Sequence, residues 1–148
     1  MLPHLTLVAG TIAGMPLRWY TVVVDCHDIA AQSRWWAQTL GWKLIYEADD
    51  EVVIIPPHMS EQPIEDLATW LAAGQAMIFV TVPEGKSVKN RLHLDLAPHT
   101  TQDRDAEIAA LLARGATRVD VGQTGAESWT VLADPEGNEF CVLSARKR

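Results

Sequence analysis

Cysteine is scarce in this chain. Cys26 and Cys141 are the only two in 148 residues, and neither belongs to a CxxC pair or a Cys/His ladder. Neither a disulfide framework nor a zinc ribbon is expected, and two isolated thiols point to a cytoplasmic location. Basic residues are also few, 12 Lys and Arg against 19 Asp and Glu for a net charge of −7, with no long basic run. That balance argues against a nucleic-acid surface, which needs a stripe of cations along the phosphates. No apolar run approaches the roughly 20 residues of a membrane-spanning helix, so no membrane partner is expected. Phenylalanine and tyrosine occur twice each against six tryptophans, so most of the aromatic surface is indole. With 48% hydrophobic residues, the length fits one compact domain and leaves no room for two of ordinary size. Residues 1–17 lack the basic start of a secretion signal and read as a lead-in to a single domain over 18–148.

Arg18–Asp25, RWYTVVVD, is dense in aromatic and β-branched residues and predicts a strand. Asp28 stands at an N-cap position before IAAQSRWWAQTL, a helix that Gly41 ends. Trp42–Tyr46 and Glu51–Ile55 predict a hairpin around Ala48-Asp49-Asp50. An extra short helix is expected near residues 60–72, opened by Ser60-Glu61-Gln62-Pro63, because proline suits a first turn. Ala76–Val82 closes this half as a strand, and Pro83-Glu84-Gly85-Lys86 follows as a loop.

The second half repeats the order. Arg91–Ala97, RLHLDLA, alternates as a strand does; Thr100 or Thr101 can cap a helix over 102–114, ended by Gly115. Strands follow at 117–121, 128–133 and 139–144, with Asp134-Pro135-Glu136-Gly137-Asn138 as the last turn. The expected class is therefore α+β, with two βαβββ modules over about 18–83 and 90–144. Thr21 falls opposite His93, and Val24 opposite Leu96, at the same spacing, although the letters of the two halves share little.

The segments VVVDCHD, WWAQTLGWKL, KNRLHLDL, LLARGATRV and LADPEGNEFCVL resemble, in that order, the glyoxalase/bleomycin-resistance/extradiol-dioxygenase superfamily. This is the vicinal oxygen chelate group, and the resemblance is strongest to its glyoxalase-like members. It implies a cup made from the two curled module sheets, helices packed outside, a small-molecule ligand inside, and a homodimer. It also implies metal ligands on the first and last strands of each module. Those positions fall on Thr21, a residue within Ala76–Val82, His93 and Cys141. Thr21 is a poor ligand, Ala76–Val82 offers none, and Cys141 replaces a carboxylate, so the superfamily's metal site is expected to be lost and no cofactor is expected.

Alternation, together with the cup that the resemblance implies, carries the chemical reading of the second module. His93 and Asp95 share one face of a strand while Leu92, Leu94 and Leu96 share the other. His93 and Asp95 are thus the candidate catalytic pair, an imidazole beside a carboxylate suited to general-base work, or else a satisfied polar pair in a half-buried sheet. Glu139 and Cys141 share the cup-facing side of the last strand, where Cys141 is a nucleophile or, more commonly for a free thiol, a small buried hydrophobe. Cys26 has the opposite parity to Thr21 and should face the helices. Trp19, with the parity of Thr21, and Trp129 are candidates for the cup wall. Lys86, Lys89 and Arg91 form the densest basic cluster, either an anion-attracting rim or a solvated loop.

The candidate ligand-binding set is therefore Trp19, Thr21, His93, Asp95, Trp129, Glu139 and Cys141. The expected function is binding of a small metabolite in the cup. Its alternatives are a glyoxalase-type lyase or isomerase, with or without metal, and a regulatory or partner-binding module.

Overall fold

The computed structural model describes residues 16–148; the lead-in before them lies outside the described residues, except for its last two positions. The first module runs β1 (Thr21–Cys26), α1 (Ile29–Leu40), β2 (Lys43–Glu47), β3 (Glu51–Ile55), α2 (Leu67–Ala72) and β4 (Ala76–Thr81). The second runs β5 (Asp95–Leu96), α3 (Arg104–Ala113), β6 (Thr117–Arg118), β7 (Thr130–Ala133) and β8 (Glu139–Val142). Each module is one four-stranded sheet, ordered β1-β4-β3-β2 and β5-β8-β7-β6. In both, the first strand lies parallel to the last and the other neighbours are antiparallel. The fold is α+β, two modules of one topology. No described helix is long and apolar enough to cross a membrane.

The core lies between the sheets and the helices. Strand alternation sends Val52, Ile54, Met77, Phe79, Leu132, Phe140 and Val142 into it, and Cys26 joins them as its parity requires. Helix α1 presents Trp35 and Trp36 to this core, edge to face with each other (5.1 Å) and with Phe140 of the second module (5.8 and 5.3 Å). The first module's helix therefore packs on the second module's last strand. Asp28 caps α1 through Ala31 N–H, and Gly41 ends it at φ 65°, a left-handed conformation that glycine adopts without strain.

Some expectations need correction. The strand predicted over Arg91–Ala97 pairs only at Asp95–Leu96: the backbone bonds from β8 reach no earlier than Leu94 O, and the Asn90 N–H ahead of it is taken by the Glu139 carboxylate. Leu92 consequently leaves the helix-facing row and is 91% exposed, while Leu94 and Leu96 pack on the core. Helix α3 is capped by Asp103, whose carboxylate accepts from Asp105 and Ala106 N–H, and not by Thr100 or Thr101. The inserted helix starts only at Leu67: Ser60 Oγ accepts from Gln62 N–H in a local turn, and Asp66 supplies the cap. Arg18 ties this insert to β1, donating to Gly74 O at 2.6 Å while its guanidinium lies 5.1 Å from both the Tyr20 and Trp70 rings.

Candidate functional site

Strand β8 places Phe140 and Val142 in the core, which leaves Glu139 and Cys141 on the opposite face. Its parallel partner β5 brings Asp95 into register with Cys141. His93 lies two residues earlier on the same side. One nitrogen, one oxygen and one sulfur from His93, Asp95 and Cys141 come within 4.8 Å of one another. His93 Nε2 is 3.2 Å from Asp95 Oδ1, and both side chains are about half exposed, 46% and 48%. Cys141 is buried. Burial pushes its thiol above the usual range, with the Asp95 carboxylate adding to the effect and the Lys89 ammonium opposing it. Left to these neighbours, Cys141 is a protonated thiol at neutral pH rather than an activated nucleophile. Cys26 is more extreme, its thiol pushed up to about 12 by burial, with Glu136 and Asp134 adding their charge.

These groups line a cavity of 290 Å³ over the second sheet. Its apolar wall is Val121, Val131 and the 43%-exposed indole of Trp129; Lys89 stands at its side. Glu139 also lines it, but its carboxylate is turned to the loop before β5. It accepts from Asn90 N–H at 2.9 Å and from Lys86 Nζ at 3.0 Å. Burial opposes its charge, yet these donors outweigh that cost and the Glu139 carboxyl sits below its ordinary value. Lys86 also donates to Val88 O, so it is a strut of this loop rather than a free rim cation.

The remaining candidates lie elsewhere. Trp19 lines a second cavity of 580 Å³ in the seam between β1 and residues 90–94, which shares His93 and Glu139 with the first. Thr21 lines neither cavity. Its hydroxyl lies 3.2 Å from Ala76 O and 3.2 Å from Val22 O, so its proton is committed to the backbone. The structure thus gathers His93, Asp95, Trp129, Glu139 and Cys141 at one cavity, sets Trp19 at the adjoining one, and leaves Thr21 apart. Val121, Asn90 and Arg91 were not singled out as wall residues. Val121 and Asn90 sit in irregular segments, where no periodicity says which way a side chain points.

The ligand set that the superfamily resemblance implies does not fit this chain. Thr21 Oγ is engaged, and Ile78 and Val80, the β4 residues facing away from buried Met77 and Phe79, carry no donor atom. The first module supplies no ligand at these positions. The donors that do converge, His93, Asp95 and Cys141, all belong to the second.

Comparison with known proteins places this geometry. A family model of the glyoxalase-like domain matches residues 21–143. A search of the curated proteins found no match. Among solved structures, a glyoxalase/bleomycin resistance protein/dioxygenase family enzyme from Burkholderia phytofirmans superposes with a TM-score of 0.61 at 19% identity, covering 88% of this chain and 100% of that one. A glyoxalase/bleomycin resistance protein from Albidiferax ferrireducens gives 0.53 at 19% identity, covering 86% and 98%. A mutant of the fosfomycin resistance protein FosX from Listeria monocytogenes, complexed with Mn(II) and 1S,2S-dihydroxypropylphosphonic acid, gives 0.60 at 11% identity, covering 92% and 93%. At these identities the likeness is one of fold. Two modules of one topology and a family match across both of them lead to one conclusion: this chain belongs to the glyoxalase-like domain family.

Proposed function

We propose that this protein binds a small, flat, anionic molecule in the cavity over its second module. One observation carries the reading: an exposed indole, Trp129, shares a small cavity with the Lys89 ammonium and the His93–Asp95 pair. Among the described residues Lys89 has no hydrogen-bond or ion-pair partner, unlike Lys86, which is held by Glu139. A planar ring suits the indole face, and a carboxylate or similar oxyanion suits the ammonium and the imidazole. A volume of 290 Å³ lies at the small end for metabolite sites, consistent with a ligand of one ring.

Calorimetric titration with benzoate, salicylate and 4-hydroxybenzoate tests this reading. At least one should bind, and Trp129→Ala and Lys89→Ala should each weaken it by about tenfold, the equivalent of roughly 1.4 kcal/mol for a lost stacking face or charge-assisted bond. Absence of binding across the series, or binding untouched by both substitutions, would overturn it.

The 3.2 Å contact between His93 and Asp95 supports a second reading, that of a glyoxalase-type isomerase or lyase. His93 would take a proton from a carbon next to a carbonyl, and Asp95 would orient the imidazole. Exchange of that proton with deuterated solvent, lost in His93→Ala, separates this enzyme from a pure binding protein.

A further inference from the structure

We propose that His93, Asp95 and Cys141 form a three-ligand site for a zinc-type divalent cation, built within the second module alone. The ligand reading above also uses His93, but its indole and its ammonium, Trp129 and Lys89, take no part in this site.

The residue types suit such an ion. Imidazole nitrogen, carboxylate oxygen and thiolate sulfur are the three donors a zinc-class metal takes, whereas a thiolate disfavours magnesium or calcium. The geometry suits it as well. With metal bonds of about 2.0–2.3 Å, the ligand atoms of a tetrahedral site stand about 3.3–3.8 Å apart. The His93–Asp95 separation is already 3.2 Å, and all three donors lie within 4.8 Å of one another, so closing the site takes side-chain movements of about 1 Å. The backbone pairing of Asp95 with Cys141 fixes two donors relative to each other, and the half-exposed His93 has room to adjust.

Charge balance points the same way. A neutral imidazole, a carboxylate and a thiolate sum to −2, which a divalent cation cancels at a place where Cys141 is buried and a bare thiolate would be costly. Glu139 does not compete for the ion, because Lys86 and Asn90 hold its carboxylate. The fourth position opens on the 290 Å³ cavity, where water or a ligand oxygen can complete the shell. A shell taken from β5, its approach and β8 differs from the two-module set implied for the superfamily, to which Thr21, Ile78 and Val80 contribute nothing here. A proton held between His93 and Asp95 and a cation held by all three donors would occupy the same space, so the two states exclude each other.

The test is titration of metal-stripped protein with Co²⁺ alone, followed by absorption spectroscopy. The expected result is a single equivalent bound per chain with a thiolate-to-cobalt charge-transfer band, displaced by Zn²⁺. Cys141→Ser should abolish the band. His93→Ala and Asp95→Asn should weaken binding by more than about tenfold, the loss caused even by removing an outer partner of a ligand. Cys26→Ala and Trp129→Ala should leave cobalt binding in place, so failure of the anionic-ligand reading would not be mistaken for failure of this one. Asp95→Asn changes a half-exposed residue and Cys141→Ser is nearly isosteric, and circular dichroism of both variants serves as the folding control. No cobalt uptake, uptake without a sulfur band, or a band that survives Cys141→Ser would each overturn the proposal.

Discussion

Asp134 is 2% exposed and is surrounded by donors. Its carboxylate accepts from Gln32 Nε2 at 2.6 Å, Trp36 Nε1 at 3.0 Å, the Asn138 side chain, and the backbone N–H groups of Glu136 and Asn138. A buried carboxylate is tolerated only with this degree of hydrogen bonding, and the donors are equally dependent on it. Asp134→Ala should therefore cost about 3–5 kcal/mol, the range for breaking a buried charged network, read as a lower midpoint in urea unfolding. Asp134→Asn keeps part of the set and should cost less. The turn itself was legible, since Pro135 presets one backbone angle and Gly137 sits at φ 91°. The partners on α1 were not, because Trp36 lies 98 positions away and no local pattern connects an indole N–H to a distant carboxylate.

Strand β8 shows the same division between local pattern and long-range partner. Alternation was enough to separate Glu139 and Cys141 from Phe140 and Val142, and the structure keeps that separation. The length of β5 was not legible: RLHLDLA alternates over seven residues, but β8 pairs only with its later part, and the Glu139 side chain rather than the β8 backbone holds Asn90 ahead of it. Residues 86–90 are held instead by the Glu139 carboxylate. Because that carboxyl is depressed in the folded state, its contribution is present above the unfolded glutamate range, near about pH 4.3, and is lost as pH falls through the lower folded value. Glu139→Gln should reduce stability at neutral pH by about 1.5–3 kcal/mol, the usual size for hydrogen bonds to a charged group. The deficit should shrink toward low pH, where the wild-type carboxyl is itself protonated. Urea unfolding of both proteins from pH 7 down to pH 3 reads this directly; a deficit independent of pH would refute it.

Across the whole molecule, α1 joins two modules that the sequence pattern presents as separate units. Glu136, from the second module's last turn, accepts from His27 and Asp28 N–H at the start of α1, at 2.7 and 3.0 Å. Trp35 Nε1 donates to Arg114 O just past α3. Each module was legible because it carries its own strand and helix periodicity; their docking rests on hydrogen bonds and ring contacts that leave no periodic trace. The two halves should consequently unfold in a single transition, with coincident fluorescence and circular dichroism curves. Fragments 1–84 and 85–148 expressed apart should each lack a cooperative transition, and an independent transition in either would contradict the docking. The perpendicular Trp35 and Trp36 rings, 5.1 Å apart against Phe140, have an optical consequence as well. Closely spaced, rigidly crossed indoles couple their electronic transitions, so the near-ultraviolet circular dichroism of this protein should report chiefly whether the two halves of the chain are joined.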